Sequence, residues 1–550
     1  MTPRFLAAAD TALLVELGDE VSDAVSDAVA ALDARLAATP PAGVVEVLPA
    51  LRSLLVEYDP LRTSHARLRG DIAALLDMSP LSVARPSVRA HTIAVCYDGE
   101  DIAAVARTTG LDVAEVARLH SAATYRVAML GNLPGLPYLL GLDARLRVPR
   151  RNDPRDAVPP GSVAVAGSLS CVYPAAGPGG WNLIGRTDAL LFEAHRTPPS
   201  LLAPGDTVRF VGVDALPAAT ITRHAHRAQR DSGGPSLRVV EPGLITTVQD
   251  AGRRGHQRIG VPTSGALDRE YLHIANLLAG NAPGDAALEV THTGPVLDVH
   301  APSIRVAVAG DAEVTRITRD GRRIATEPWR SMILRDGERL HVGRVTRGLR
   351  CIVAVEGGID VEPVLGSRST CLRAGFGGLD GRALQRGDVL PLQRAYAGLH
   401  PDMRLDPAPL RDNTLPIRVV LGPQADSIDA LLQATLTVAH RSDRVGLRLD
   451  GVRLQHPGSP EIISDGCAPG SVQVPGSGQA IVLLADRGTT GGYPKVATVA
   501  SVDMPRLARL RPGDTLRFEA IDVAAAEHLR RRRDALLHAL ADMLEPIPAE

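Results

Sequence analysis

The feature that most limits how this chain can fold is a long-range repeat. Gly161-Ser162-Val163-Ala164-Val165-Ala166-Gly167-Ser168 returns as Gly470-Ser471-Val472-Gln473-Val474-Pro475-Gly476-Ser477. Pro204-Gly205-Asp206-Thr207-Val208-Arg209-Phe210 returns as Pro512-Gly513-Asp514-Thr515-Leu516-Arg517-Phe518, and between these Gly179-Gly180-Trp181 matches Gly491-Gly492-Tyr493. A shared turn could produce the Pro-Gly-Asp match alone. It could not produce three matches in one order at a nearly constant offset, so each half is read as holding a copy of one domain. Within the copies apolar and polar residues alternate between Gly/Pro turns, which is antiparallel patterning. A closed β-barrel is the simplest container for many short strands.

At 550 residues the chain exceeds one hydrophobic core and calls for about three to five domains. The expected class is mainly β: two barrels related by duplication, each with an additional α/β lobe. The division is 1–88 for an N-terminal α+β lobe, 89–215 for the first barrel and 216–236 for a linker around Asp231-Ser232-Gly233-Gly234-Pro235. It continues with 237–410 for a second lobe, 411–522 for the second barrel and 523–550 for a C-terminal helix with the Arg530–Arg533 run. Helical spacing of apolar residues marks 21–38, segments within 100–120, and 266–281 ending on Asn281.

Hydrophobic residues at 45% and charged residues at 22% suit soluble globular domains. A net charge of −2 provides no footprint for nucleic acid or an anionic membrane. No stretch of apolar residues suggests a membrane span, and Arg4, Asp10 and Glu16 interrupt any signal-peptide core, so a cytoplasmic location is expected. The five cysteines are scattered without a CxxC pair and read as reduced structural thiols.

Of the 60 basic side chains a single one is lysine, Lys495, within Gly488-Thr489-Thr490-Gly491-Gly492-Tyr493-Pro494-Lys495. In a chain that uses arginine everywhere else, a retained lysine marks a position where a planar fork that never deprotonates would not serve. The alternative is a surface lysine left by chance. Its context also excludes chemistry: Pro494 and Val496 flank it, so there is no Walker A loop and no biotinyl-lysine hairpin. G-x-S-x-G and H-E-x-x-H are absent as well.

The segments Ala90–Tyr97, Leu119–Tyr125, Leu133–Leu139 and Gly179–Thr187 make the first half resemble the KipI-like family, the B-type component of bacterial 5-oxoprolinase or allophanate hydrolase subunit 1. Val240–Leu244, Thr247–Asp250, Val261–Asp268, Gly357–Asp360, Leu365–Thr370, Ser442–Arg448 and Ala485–Lys495 make the second half similar to the KipA-like family, the C-type component or allophanate hydrolase subunit 2. The resemblance spans roughly residues 10–520 and reads as a fusion of the two components, with Leu133 and Leu136 departing from the family's aromatic Pro-Gly-Phe-Pro-Tyr pattern. It implies cyclophilin-like barrels. It also implies ATP- and Mg2+-dependent opening of 5-oxo-L-proline to glutamate with a separate LamB/YcsF-like component, the A type of the same enzyme. Carboxyl transfer from a separate biotin carrier chain to urea is the alternative, and inhibition of a sensor kinase a second one. A homo-oligomer is among the expectations, and no metal-ligand cluster is assigned.

Side-chain chemistry supplies the candidate site. Opening an unreactive lactam needs activation of its carbonyl, which rests on positioning and on cations against developing phosphoryl charge. Lys495 is the candidate catalytic cation, beside an anion nest from Thr490, Gly491 and Gly492. Arg444 and Arg368 are candidate clamps for a substrate carboxylate, with a structural ion pair as the other reading of Arg444. Gln473 and Asp486 are candidates for binding amide groups or a metal, Asp486 also for catalysis, with a turn cap as the other reading of Asp486. In the first half His120, Tyr125 and Trp181 are candidates, each against a packing role, Arg186 is a further candidate, and Tyr493 is the counterpart of Trp181. The lysine-bearing copy is expected to be active, with the first copy completing the site across an interface.

Overall fold

The repeated Gly-Ser-Val segments become equivalent strands, Ser162–Ala166 and Ser471–Gln473, in a computed structural model of the chain. The structure describes residues 2–77, 88–151, 153, 155–217, 233–410, 416–426, 428–456 and 458–548. Most of the linker expected at 216–236 lies outside the described residues. In Ser162–Ala166 the valines fall on one face, as a period of two dictates, and enter the barrel interior with Ile93, Val127, Val208 and Phe210. Ala164 and Ala166 fall on the outer face, against Tyr138, Trp181 and Leu183.

Around the first barrel the strands run Ala90–Val95, Thr207–Gly212, Thr124–Leu130, Pro137–Leu140, Leu169–Val172, Ser162–Ala166 and Asn182–Arg186. A bridge between Cys96 and Arg186 returns the last strand to the first. The second barrel has the same cyclic order: Ile417–Leu421, then Phe518–Ala520 with Thr515–Leu516, Leu436–Val438, Gly446–Asp450, Ala480–Leu483, Ser471–Gln473 and Lys495–Val499, which pairs with Ile417–Leu421. Each has one parallel pair, and the repeated Pro-Gly-Asp-Thr segment supplies a strand of it in both, Thr207 opposite Ala90 and Phe518 opposite Ile417. Closure leaves few free strand edges. The duplication inferred from sequence is therefore a duplication of topology.

The lobes are crossed over. Residues 2–77 form a four-stranded sheet under the helices Asp23–Ala38 and His65–Asp77. The sheet's other face lays Leu14, Leu48 and Leu55 on Ala468 of the second barrel. A side chain on Gly466 would place its Cβ 2.5 Å from that of Leu55, so only glycine permits this approach. The middle lobe packs a six-stranded against a seven-stranded sheet and seats on the first barrel, where Gly135 N–H donates to Ile259 O at 2.8 Å and Phe192 meets Phe376. Each barrel thus rests on the lobe of the other half.

Several local expectations change. The helical pattern in 100–120 resolves into Ile102–Thr109 and Val113–Ala122, separated by Gly110 at φ +71°. The helix Arg269–Ala279 is closed by Gly280 at φ +82° and not by Asn281, because glycine reaches the left-handed cap without strain. Asn281 instead donates to Val355 O at 2.8 Å. After the helix Val523–Ala539, Glu545–Pro546 pairs with Met403–Arg404 and extends the middle-lobe sheet, while Arg533 turns onto Glu270. His65–Asp77, which buries only Leu68 and Ile72, carried too little apolar periodicity to be foreseen. No helix among the described residues is long and apolar enough to cross a membrane.

Candidate functional site

Because the two barrels face each other across the middle lobe, their outer faces enclose a cleft of about 930 Å3. Its walls come from both halves: Tyr138, Arg150 and Trp181 from the first barrel, Thr247, Glu289 and Arg373 from the middle lobe, and Arg444, Gln473 and Tyr493 from the second barrel. Trp181 stands edge-on to Tyr138 with centroids 5.8 Å apart. Leu244, Ile245 and Leu372 leave an exposed aliphatic rim. Thr490, Gly491, Gly492 and Asp486 also line this space, so eight of the candidate residues converge on it.

Lys495 lies one layer below the cleft. Its ammonium is buried and donates to Asp465 Oδ1, and its backbone N–H donates to Gln424 Oε1 at 2.9 Å. Burial raises the pKa of Asp465, and the ammonium opposes that rise. Gln473 is directly opposite Lys495 in the strand ladder and donates from Nε2 to Cys467 Sγ at 3.3 Å. Burial pushes the Cys467 thiol up to about 11, so it is no nucleophile near neutral pH. A Cβ on Gly491 would lie 2.5 Å from Gln473 Nε2, which explains glycine there.

Other candidates hold different positions from those expected. Thr490 and Gly491 form a short strand paired with Asp465–Gly466, and neither Gly491 nor Gly492 has the left-handed backbone of an anion nest. Arg444 is engaged on every side: Nε donates to Asp486 Oδ2 at 2.9 Å, Nη1 to Glu289, and Nη2 to Gly265 O at 2.6 Å. That buried network ties the middle lobe to the second barrel, which is the structural reading of Arg444. Asp486 caps no turn among the described residues: it lies on the cleft wall with Oδ2 on Arg444, and its Oδ1 is buried with no hydrogen-bond partner there. Arg368 lies outside the cleft, with Nε on Val361 O at 2.8 Å and Nη2 on Asp360.

His120 and Tyr125 sit in the first barrel's interior. His120 Nδ1 meets Tyr97 Oη at 2.8 Å and Nε2 meets Ser170 Oγ at 2.9 Å, while Tyr125 Oη donates to His120 O at 3.0 Å. Burial pulls the His120 pKa down to about 3, so the ring is neutral. Arg186 is exposed and paired with Asp98 at 2.7 Å. Among the described residues no group of three His, Cys, Asp or Glu side chains is placed to hold a metal. Arg373 went unnoticed in the sequence, where nothing distinguishes it from the other arginines. It lines the cleft without an ion pair or hydrogen bond among the described residues.

A duplicated barrel pair whose lobes cross and whose copies share one cleft defines a pair of fused components on a single chain. The chain belongs to the carboxyltransferase-domain family: residues 3–202 match "Carboxyltransferase domain, subdomain C and D" and residues 259–520 match "Carboxyltransferase domain, subdomain A and B". It is 38% identical over 303 residues to the C-type component of 5-oxoprolinase from Escherichia coli, covering 54% of this chain and 94% of that protein. It is 36% identical over 217 residues to the B-type component of 5-oxoprolinase from Bacillus subtilis, covering 37% of this chain and 90% of that one. A urea amidolyase of Lachancea kluyveri is 29% identical over 56% of this chain, which spans only 18% of that protein. Among solved structures, the crystal structure of TTHA0988 superposes with a TM-score of 0.80 at 36% identity, over 93% of this chain and all of the other. The chain is consistent with a fused B/C protein of this family.

Proposed function

We propose that this chain is the fused B/C component of a 5-oxoprolinase, opening 5-oxo-L-proline to L-glutamate with a separate partner of the LamB/YcsF type. The observation that carries this reading is that the two halves, each similar to a different 5-oxoprolinase component, supply the walls of one cleft. ATP and Mg2+ enter the proposal through the family. When bound, ATP would supply the phosphoryl group that makes the lactam oxygen a leaving group, and the cleft-lining Arg150 and Arg448 have the charge to meet phosphate oxygens. This reading assigns no residue of this chain to Mg2+. Gln473, whose side-chain amide lines the cleft, suits the lactam amide, and the aliphatic rim suits the ring methylenes. Lys495, opposite Gln473 in the ladder, holds Asp465 in a buried ion pair and so fixes the floor beside Gln473 and Gly491.

The test is glutamate release from 5-oxo-L-proline with Mg-ATP by this protein mixed with its LamB/YcsF-type partner, wild type against Lys495→Arg. Turnover in the wild type and its loss in the charge-preserving variant are expected, because a planar guanidinium cannot replace the ammonium on Asp465. Full activity in the variant would remove Lys495 from the mechanism, and an inactive wild type with a folded partner would remove the oxoprolinase reading. The carboxyltransferase family match favours a second reading, carboxyl transfer from a biotin carrier chain to urea. Urea-dependent loss of carboxyl from carboxybiotin would select it.

A further inference from the structure

Six arginines line the cleft, and they differ in what already holds them. Arg444 has all three guanidinium nitrogens on Asp486, Glu289 and Gly265. Arg350 donates to Ala508 O, Arg151 pairs with Asp101 at 2.8 Å, and Arg150 reaches Ser464 at 3.4 Å and Glu461 at 3.6 Å. Arg448 is exposed to water. Arg373 alone among the six is half-buried with neither a hydrogen bond nor an ion pair among the described residues.

Its placement is built. Arg373 stands on the turn Cys371–Phe376, closed by Cys371 N–H donating to Phe376 O at 2.9 Å and by Gly375 N–H donating to Cys371 O at 2.9 Å. Phe376 is clamped by the Arg253 guanidinium 4.9 Å above its ring. From there the side chain crosses to the first barrel, where a Cβ on Gly177 would lie 3.5 Å from Arg373 Nη2. The duplicate hairpin is treated alike, since a Cβ on Gly492 would lie 2.7 Å from Arg150 Nη1. Each Gly-rich hairpin therefore has a guanidinium laid on it from another part of the fold. Burial disfavours the charge on Arg373, the acidic groups Cys371, Asp443 and Asp486 favour it, and none of the three pairs with it, Asp486 being held by Arg444. A half-buried guanidinium on a cleft wall, with no carboxylate or carbonyl of its own, is free to form a charge-assisted bidentate pair with an anion that enters the cleft.

We propose that Arg373 is the carboxylate anchor of the cleft, binding the carboxylate of a small amide acid whose ring or chain lies along Leu372, Leu244 and Ile245. The identification of that acid as 5-oxo-L-proline rests on the function proposed above. The role of Arg373 does not.

Calorimetric titration of the full chain separates the two. The wild type should bind 5-oxo-L-proline about 10- to 100-fold more tightly than 2-pyrrolidinone, which lacks only the carboxylate, as one charge-assisted hydrogen-bonded pair dictates. Arg373→Met should erase that preference and leave 2-pyrrolidinone binding unchanged, while Arg373→Lys should keep part of it. The ligand-free Met variant should melt no lower than the wild type, because an unpartnered cation has been removed. If Arg373→Met retains the preference, or melts far below the wild type, the anchor is overturned while the oxoprolinase reading stands. If the wild type binds the open-chain amide acid succinamate but not 5-oxo-L-proline, and Arg373→Met loses that binding, the anchor stands and the lactam reading falls. A wild type that prefers no carboxylate over its neutral analogue overturns the anchor outright.

Discussion

The two barrels share a strand order but place their polar groups on opposite sides of the wall. Strand register makes Ala164 and Leu183 in the first copy equivalent to Gln473 and Lys495 in the second, since each pair is directly opposite in the same ladder. On the cleft face the first copy is therefore apolar where the second carries an amide and a buried ion pair. Inside, the pattern inverts: the first copy buries His120 on Ser170, while the second has Leu431 in its helix Ile428–Gln433 and Ala480 on the strand equivalent to that of Ser170. A duplicated scaffold tolerates polarity on either face if each polar group finds a partner. Polarity on the outer face is placed to meet a ligand, and under the function proposed above this assigns the buried ion pair and amide of the chemistry to the second copy, with the first copy contributing the aromatic wall and Arg150.

The comparison breaks most visibly at Lys495. Lys495→Met leaves Asp465 buried without its counter-charge, an expected loss of about 3–5 kcal/mol in chemical unfolding. Lys495→Met combined with Asp465→Leu should regain most of that stability, since an apolar pair suits the same face in the first copy. Glutamate release should remain absent in both variants. If the single variant is as stable as the wild type, the ion pair does not hold the second copy's outer face.

A smaller effect is expected inside the first barrel. His120→Leu takes the ring partner from the Tyr97 hydroxyl and leaves Ser170 Oγ only Ala164 O, for about 1–3 kcal/mol, and adding Ser170→Ala should recover part of it. Neither change should alter turnover. The pH signature distinguishes this site: the folded pKa of about 3 lies below the ordinary 6.5, so the unfolded chain binds the proton first and stability falls as pH drops from 6.5 toward 3. The slope approaches about 1.4 kcal/mol per pH unit and should vanish in His120→Leu. The smallest change is Arg186→Thr, which copies Thr498 of the second barrel; removing an exposed ion pair should move neither unfolding nor turnover measurably.

Much of the architecture was legible because its signals are local. Turn glycines and alternating valines recur within ten residues of one another, and their order survived duplication, so two barrels could be read from the chain. The site was legible in part. Lys495 stood out by rarity, and Gln473, Tyr493 and Trp181 by their place in the repeat. Arg444 looked like a free clamp because its partners Asp486 and Glu289 are distant in sequence, the latter 155 residues away. His120 looked exposed to chemistry because nothing nearby showed that the helix end points into a barrel.

The sequence by itself determined the duplication, the strand-rich barrels and the one position where lysine replaced arginine, since periodicity and turn chemistry act between near neighbours. Only the tertiary structure decided that each barrel rests on the other half's lobe, that Arg444 is consumed by Glu289 and Asp486, and that Arg373 has no ion pair or hydrogen bond among the described residues. The physical reason is that a charge is defined by what surrounds it, and in this chain those surroundings are assembled from both halves.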